Sequence, residues 1–238
     1  MASADLPLDR ESERIRRMFG RVARRYDLLN HLLSGSLDRL WRRRLARSLS
    51  LPAGSRVLDL CSGTGDQAVA LRRRRFEVVA ADFCLPMLAL ARAKLGRDPG
   101  RPPATLQADA LVLPFADHSF AGATVSFGLR NVADLDRALA ELARVVRPGG
   151  ELGVLEFAVP VRGPLRALYL FYFRRLLPAV GGAVSGDSDA YRYLPESVLG
   201  FPQRADFTAR LAAAGFTGAR FESLSGGVLC LYLARRTA

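Results

Sequence analysis

Lysine is nearly missing from this chain: Lys94 is the only one among 35 basic residues, and arginine supplies the rest. Cysteine is scarce as well. Cys61, Cys84 and Cys230 are scattered and odd in number, which argues against a disulfide framework and for a reducing compartment. The two histidines, His31 and His118, form no Cys/His cluster, so no zinc or other metal site is expected. No apolar run reaches the roughly 18–20 residues needed to cross a bilayer. The opening MASADLPLDRESERIRRMF lacks the apolar core of a signal peptide, so a cytoplasmic protein is expected. Acidic residues are outnumbered, 23 to 35, and the net charge of +12 favours nucleic acid or anionic lipid as a partner. Arginine and alanine together also mark a GC-rich genome, and general solubility is the bland account of the same charge. Half of the residues are hydrophobic, enough for one α/β domain with a full core.

The pattern along the chain is helical first and then alternating. Ile15, Met18, Phe19 and Val22 recur at helical spacing, as do Leu37, Leu40, Trp41 and Leu45, so residues 10–50 read as a basic helical cap. RRYDLLNHLLSGS lies between the two patterns, and Pro52-Ala53-Gly54 breaks the chain before the first strand. Strands are predicted at 56–61, 77–82, 104–108, 121–126 and 151–157, with helices at 66–75, 86–95 and 135–146 between them. That alternation argues for a parallel sheet covered on both faces. Residues 161–200 interrupt it with an apolar, aromatic segment and a predicted loop, SGDSDAYRYLPESVLGFP. A helix at 207–214 and two strands, 219–224 and 228–234, joined through Ser225-Gly226-Gly227 as a hairpin, close the chain.

Asp59-Leu60-Cys61-Ser62-Gly63-Thr64-Gly65-Asp66 sits between a strand and a helix. Glycines there let the backbone approach a ligand and leave helix N–H groups facing it. Asp82 ends the second strand, where a carboxylate accepts hydrogen bonds from ribose hydroxyls. Alone, this turn would serve a dinucleotide or S-adenosylmethionine, but the pattern G-x-G-x-x-G is absent. The order D-L-C-S-G-T-G-D resembles motif I of class I methyltransferases, and Gln107-Ala108-Asp109-Ala110 resembles their adenine-binding corner. The resemblance implies a Rossmann-like class I methyltransferase fold. It would have a mostly parallel seven-stranded sheet, a C-terminal antiparallel hairpin, an N-terminal helical cap and a helical insertion after the fifth strand. It also implies S-adenosyl-L-methionine as cofactor, with Asp59, Gly63, Thr64 and Gly65 facing the methionine end and Asp109 and Ala110 the adenine. Asp82 and Ser126 belong to the same set. The class often has glycine where this chain has Cys61.

Narrower segments sharpen the resemblance. YDLLNHLLSGSLDRLW (26–41), SFGLRNVADLDRAL (126–139), RVVRPGGELGVLEFAVP (144–160) and YRYLPESVLGFP (191–202) resemble the quinone C-methyltransferases of menaquinone and ubiquinone biosynthesis, from about residue 12 to 236. The resemblance implies one methyltransferase domain over 1–238 that moves a methyl group from S-adenosylmethionine to a ring carbon of a polyprenylated quinol. Such a reaction needs positioning, exclusion of water and stabilisation of phenolate charge. Arg130 is the candidate for the oxyanion or for holding a water that takes the proton, but not as a literal base, since its pKa exceeds about 12. Its alternative role is a salt bridge closing the loop. Asn131 would hydrogen-bond a ring oxygen or cap a turn. Tyr26, Asp27 and Asn30 lie on the cap and would close over the ring or simply pack. Tyr193 and Glu196 would line the ring pocket.

A polyprenyl tail partitions into the bilayer, so the enzyme must meet it there. Residues 164–184 offer Leu168, Tyr169, Phe171, Tyr172, Leu176 and Leu177 as an apolar face, with Arg166, Arg174 and Arg175 for lipid phosphate. The expected partners are thus the quinol and, transiently, an anionic membrane surface, with the protein peripheral at the inner face of the plasma membrane. A helix that only covers the sheet is the other reading. No nucleic acid is expected, and a homodimer stays open. The competing functions are methylation of another small apolar or phenolic acceptor, an RNA-binding module suggested by the charge, and an inactive scaffold. The naphthoquinol and benzoquinol substrates are not separated at this level.

Overall fold

The computed structural model describes residues 10–98, 102, 104–161, 163–171 and 188–238. Two helices come first, α1 (Arg10–Leu33) and α2 (Leu37–Ser48). Then follow β1 (Arg56–Leu60), α3 (Asp66–Arg72), β2 (Glu77–Asp82), α4 (Leu85–Leu95), β3 (Ala104–Gln107) and β4 (Phe120–Ser126). A one-turn 3-10 helix, Leu129–Asn131, leads into α5 (Leu135–Val145) and β5 (Val146–Phe157). After α6 (Pro164–Phe171) come α7 (Ser188–Gly200), α8 (Ala205–Ala213), β6 (Phe216–Leu224) and β7 (Leu229–Arg236).

The strands form one seven-stranded sheet in the order β3-β2-β1-β4-β5-β7-β6. β1 to β5 are parallel, and β7 runs antiparallel to both β5 and β6. β1 and β4 sit at the centre with helices on both faces. That is why their sequences, RVLDL and FAGATVS, do not alternate polar and apolar: every residue of β4 is buried. One core, with Leu58, Phe120, Leu139, Leu142, Phe207 and Tyr232, fills the side of α5 and α8. The other, with Ala46, Leu49, Val57, Leu71 and Phe76, is closed by α2 and α3. α5 presents Ala138, Leu139, Leu142 and Ala143 at helical spacing, and the Asp134 side chain caps its start by accepting from Arg137 N at 3.0 Å. The strand order reverses between β1 and β4, and the crevice at that switch point opens at the carboxyl ends of the strands.

Within the helical cap, RRYDLLNHLL continues α1 to Leu33, and only Ser34-Gly35-Ser36 forms the turn, with His31 and Ser34 both hydrogen-bonded to Asp38. Two expectations need correction. The fifth strand, expected to start at 151, begins at Val146, so Pro148-Gly149-Gly150 lies inside β5. Val146 pairs with Phe120 and Glu151 with Gly122, so residues 147–150 bulge from the ladder. SGDSDAYRYLPESVLGFP is mostly a helix, α7, with Pro195 inside it. A proline inside a helix removes only one N–H, and Pro195 and Val198 are buried against the rest of the molecule. Tyr172, Arg174, Arg175, Leu176 and Leu177 lie outside the described residues. Among those described, no helix is long and apolar enough to cross a membrane.

Candidate active site

The crevice at the switch point widens into a cleft open to solvent at its mouth. β1 and the turn after it supply Leu60, Cys61, Ser62, Gly63 and Thr64, and α3 adds Asp66. β2 and α4 supply Asp82, Phe83 and Met87. The loop after β3 supplies Ala108, Asp109, Ala110 and Leu111. Ser126, Phe127, Gly128, Asn131 and Val132 close the other wall, and Phe19, Tyr26 and Arg42 of the two leading helices reach over it.

The turn after β1 is held from below. Asp59 is fully buried, and its carboxylate accepts the Ser62 hydroxyl at 2.7 Å and the Thr124 hydroxyl at 2.9 Å. Burial raises its pKa to about 6 in spite of those hydroxyls. Asp82 accepts Gly63 N and Cys84 N, each at 2.8 Å, so the acid also ties the turn to β2. Burial lifts it to about 6 as well, with the backbone donors opposing. Gly65 has φ 86°, and a Cβ there would stand 3.0 Å from that of Ala91, so α3 and α4 pack through this glycine. Cys61 adopts φ 53°, a left-handed conformation that explains why glycine suits the position and that costs a side chain on the order of 1–3 kcal/mol. Gly128 answers it: a Cβ there would fall 2.3 Å from that of Cys61.

The cap is fastened by the chain's one lysine. Lys94 Nζ lies 2.7 Å from Asp27 of α1 and 2.5 Å from Asp66 of α3, and donates to Thr64 Oγ1 at 3.1 Å. Thr64 in turn donates to Asp27. Burial pushes the Asp66 carboxyl up, but Lys94 and other nearby cations outweigh it and hold the pKa below the usual value. His31, 2.9 Å from Asp38 and 3.8 Å from Asp66, extends this network to α2. Beside it, Phe19 and Tyr26 meet edge to face at 5.9 Å and pack on Phe83 and Met87.

These pieces are shared with known proteins. Residues 8–236 match the model of the ubiE/COQ5 methyltransferase family. The chain is 49% identical over 221 residues to the demethylmenaquinone methyltransferase of Thermus thermophilus, covering 92% of this chain and 100% of that one. It is 44% identical to the ubiquinone/menaquinone biosynthesis C-methyltransferase of Geobacter sp. M21, over 95% and 97% of the two chains. The chain belongs to the ubiE/COQ5 methyltransferase family. Among solved structures, an S-adenosylmethionine-dependent methyltransferase of Thermotoga maritima, described as a possible histamine N-methyltransferase, shares the fold. It has TM-score 0.66 at 18% identity, over 93% of this chain and 99% of that one.

The cleft of this methyltransferase fits S-adenosylmethionine. Asp82 lies at the end of β2 and lines the cleft, each of its oxygens accepting one backbone N–H, and Gly63, with φ 56°, leaves open space where a Cβ would stand. Phe83, Met87, Ala108 and Leu111 make an apolar slot beside Asp109, one oxygen of which accepts Leu111 N at 2.9 Å.

Of the residues singled out from the sequence, Tyr26, Gly63, Thr64, Asp82, Asp109, Ala110, Ser126 and Asn131 line this space. Asp59 and Gly65 lie behind it and shape the turn. Asn30 accepts Ser34 N through its carbonyl and is outside the lining, as are Tyr193 and the exposed Glu196 of α7. Arg130 is also outside it. Its guanidinium is buried, donating to Phe127 O at 2.6 Å and to Glu156 at 2.9 Å, over the Phe157 ring. The salt-bridge alternative is the arrangement seen. Asn131 alone of the pair faces the cleft, and its Oδ1 is buried without a hydrogen-bond partner.

Sequence reasoning missed Phe19, Arg42, Phe83, Met87 and Phe127. Phe83 and Met87 had a usable signal, since they follow the acid that ends β2. Arg42 had none, being one arginine in a run of three. Phe127 holds φ 62° and carries Arg42 over its ring at 5.1 Å.

Proposed function

We propose that this protein methylates a ring carbon of a polyprenylated quinol, acting as a C-methyltransferase of quinone precursors. It is an S-adenosylmethionine-dependent methyltransferase by family. The observation that carries the finer reading is the orphaned carboxamide oxygen of Asn131, buried on the wall opposite the turn after β1. A buried acceptor without a donor is costly, and a quinol hydroxyl supplies the donor. S-adenosylmethionine brings an electrophilic methyl group. The protein does the rest: it holds the ring carbon in line, takes up the hydroxyl and excludes water beneath Phe19 and Tyr26.

Arg130 is a positioning residue in this reading. Its charge is met by Glu156, so it acts by holding the 128–131 turn and thereby Asn131. Ser126, which donates to Gln67 at 3.3 Å, fixes the wall beside it. The demethylmenaquinol ring is the first choice of substrate, after the Thermus relative, and the ubiquinone-pathway benzoquinol is the second, after the Geobacter relative.

The tail reading rests on exposure. Leu168 and Phe171 of α6 are 64% and 58% exposed, beside exposed Arg166, and Leu28 and Leu32 of the basic α1 are exposed as well. These suit a cytoplasmic protein that docks on an anionic membrane as a single catalytic domain with a cap (1–50) and an insertion (161–200). The deciding assay offers labelled S-adenosylmethionine with each reduced quinol, without oxygen. Label on either ring is expected. Cofactor binding with no label on either would overturn the quinol reading.

A further inference from the structure

We propose that Arg42 anchors the carboxylate at the amino-acid end of S-adenosylmethionine. Arg42 lines the cleft and is only 8% exposed, and its Nε has no hydrogen-bond partner. Among the described residues no carboxylate lies within ion-pair distance of it. Asp59 and Asp66 feel its charge from further away. A guanidinium on a side chain so nearly buried, with its Nε–H left without an acceptor, is disfavoured, so the site calls for an anion.

Position selects which anion. The guanidinium lies over the ring of Phe127, which follows β4, whereas Asp82 ends β2, and β1 stands between those two strands. The cation therefore stands at the end of the cleft away from the ribose, where the methionine part of the cofactor ends in a carboxylate. The planar fork suits a carboxylate with two parallel hydrogen bonds. The Phe127 ring, 5.1 Å from the guanidinium carbon, fixes its plane. Phe127 also begins the turn that carries Asn131, so cofactor and ring sites meet at one aromatic side chain.

The test is calorimetric and needs no turnover. S-adenosylhomocysteine, its decarboxylated analogue and 5′-methylthioadenosine are titrated into the unmodified protein, Arg42→Met and Arg42→Lys. The unmodified protein is expected to bind S-adenosylhomocysteine at least tenfold tighter than the decarboxylated analogue. Arg42→Met should lose that preference while binding methylthioadenosine unchanged, which also reports that the cleft is intact. Arg42→Lys should keep part of it. No preference in the unmodified protein would overturn the proposal whatever the variants do. So would a preference that survives in Arg42→Met, or an equal loss for all three ligands in both variants.

Discussion

At the scale of the residue, the site is governed by carboxylates taken out of water. Asp59 and Asp82 both sit near pKa 6 in the fold, against 3.8 for a free aspartate. A raised folded-state pKa favours the protonated form, so folding stability falls as pH climbs from about 4 to about 6 and stays lower above that. About two pH units correspond to about 3 kcal/mol for each group. Asp59→Asn is therefore expected to raise stability at pH 7.5 by up to about that amount and to leave it unchanged at pH 4, measured by denaturant unfolding. Asp82 works in the other direction for binding. As the proposed ribose acceptor it binds best when ionised, so the dissociation constant of S-adenosylhomocysteine should rise below pH 6, by up to about tenfold per unit. A flat profile in calorimetry between pH 5 and 8 would refute a ribose contact. Arg130 and Glu156 make the third case. Removing one partner leaves a buried charge, so Arg130→Met and Glu156→Gln should each cost about 3–5 kcal/mol and most of kcat. Arg130→Met combined with Glu156→Leu should recover stability, and part of kcat if the arginine positions rather than touches the ring. A double variant that refolds fully yet stays inactive would return Arg130 to direct chemistry.

At the scale of the element, the order of strands and helices was legible because period and punctuation agreed. Apolar runs marked β1 and β4, and Gly-rich turns marked the strand ends. The α7 helix was not legible, because Pro195 and the polar SGDSD that precedes it signal a loop, while the burial that overrides them is tertiary. The same holds for the site. Motif spacing brought Gly63, Thr64, Asp82, Asp109 and Ala110 to the cleft, since each ends or follows a strand. It could not say that Arg130 turns inward to Glu156, twenty-six residues away, while its neighbour Asn131 faces the cleft. Nor could it find α1 as a strap. Lys94→Met should free α1 from α3 and α4 without touching the core. The expected result is faster proteolysis within α1 and weaker S-adenosylhomocysteine binding, with the thermal midpoint changed by only a few degrees.

At the scale of the molecule, charge and grease point the same way. The excess of twelve positive charges and the exposed side chains of α1 and α6 suit a surface of anionic lipid. Co-sedimentation should be greater with anionic than with neutral vesicles and should fall with salt and in Leu168→Ser/Phe171→Ser; equal recovery on both vesicle types would dismiss the docking. One more consequence follows from the composition. Because Lys94 is the only lysine, and because it is spent on Asp27, Thr64 and Asp66, the protein carries a single side-chain amine whose accessibility tracks the cap. Acylation followed at Lys94 itself, by mass spectrometry of its peptide, would act as a clock, reacting at the rate at which α1 lifts from the cleft and falling silent when a ligand keeps it down.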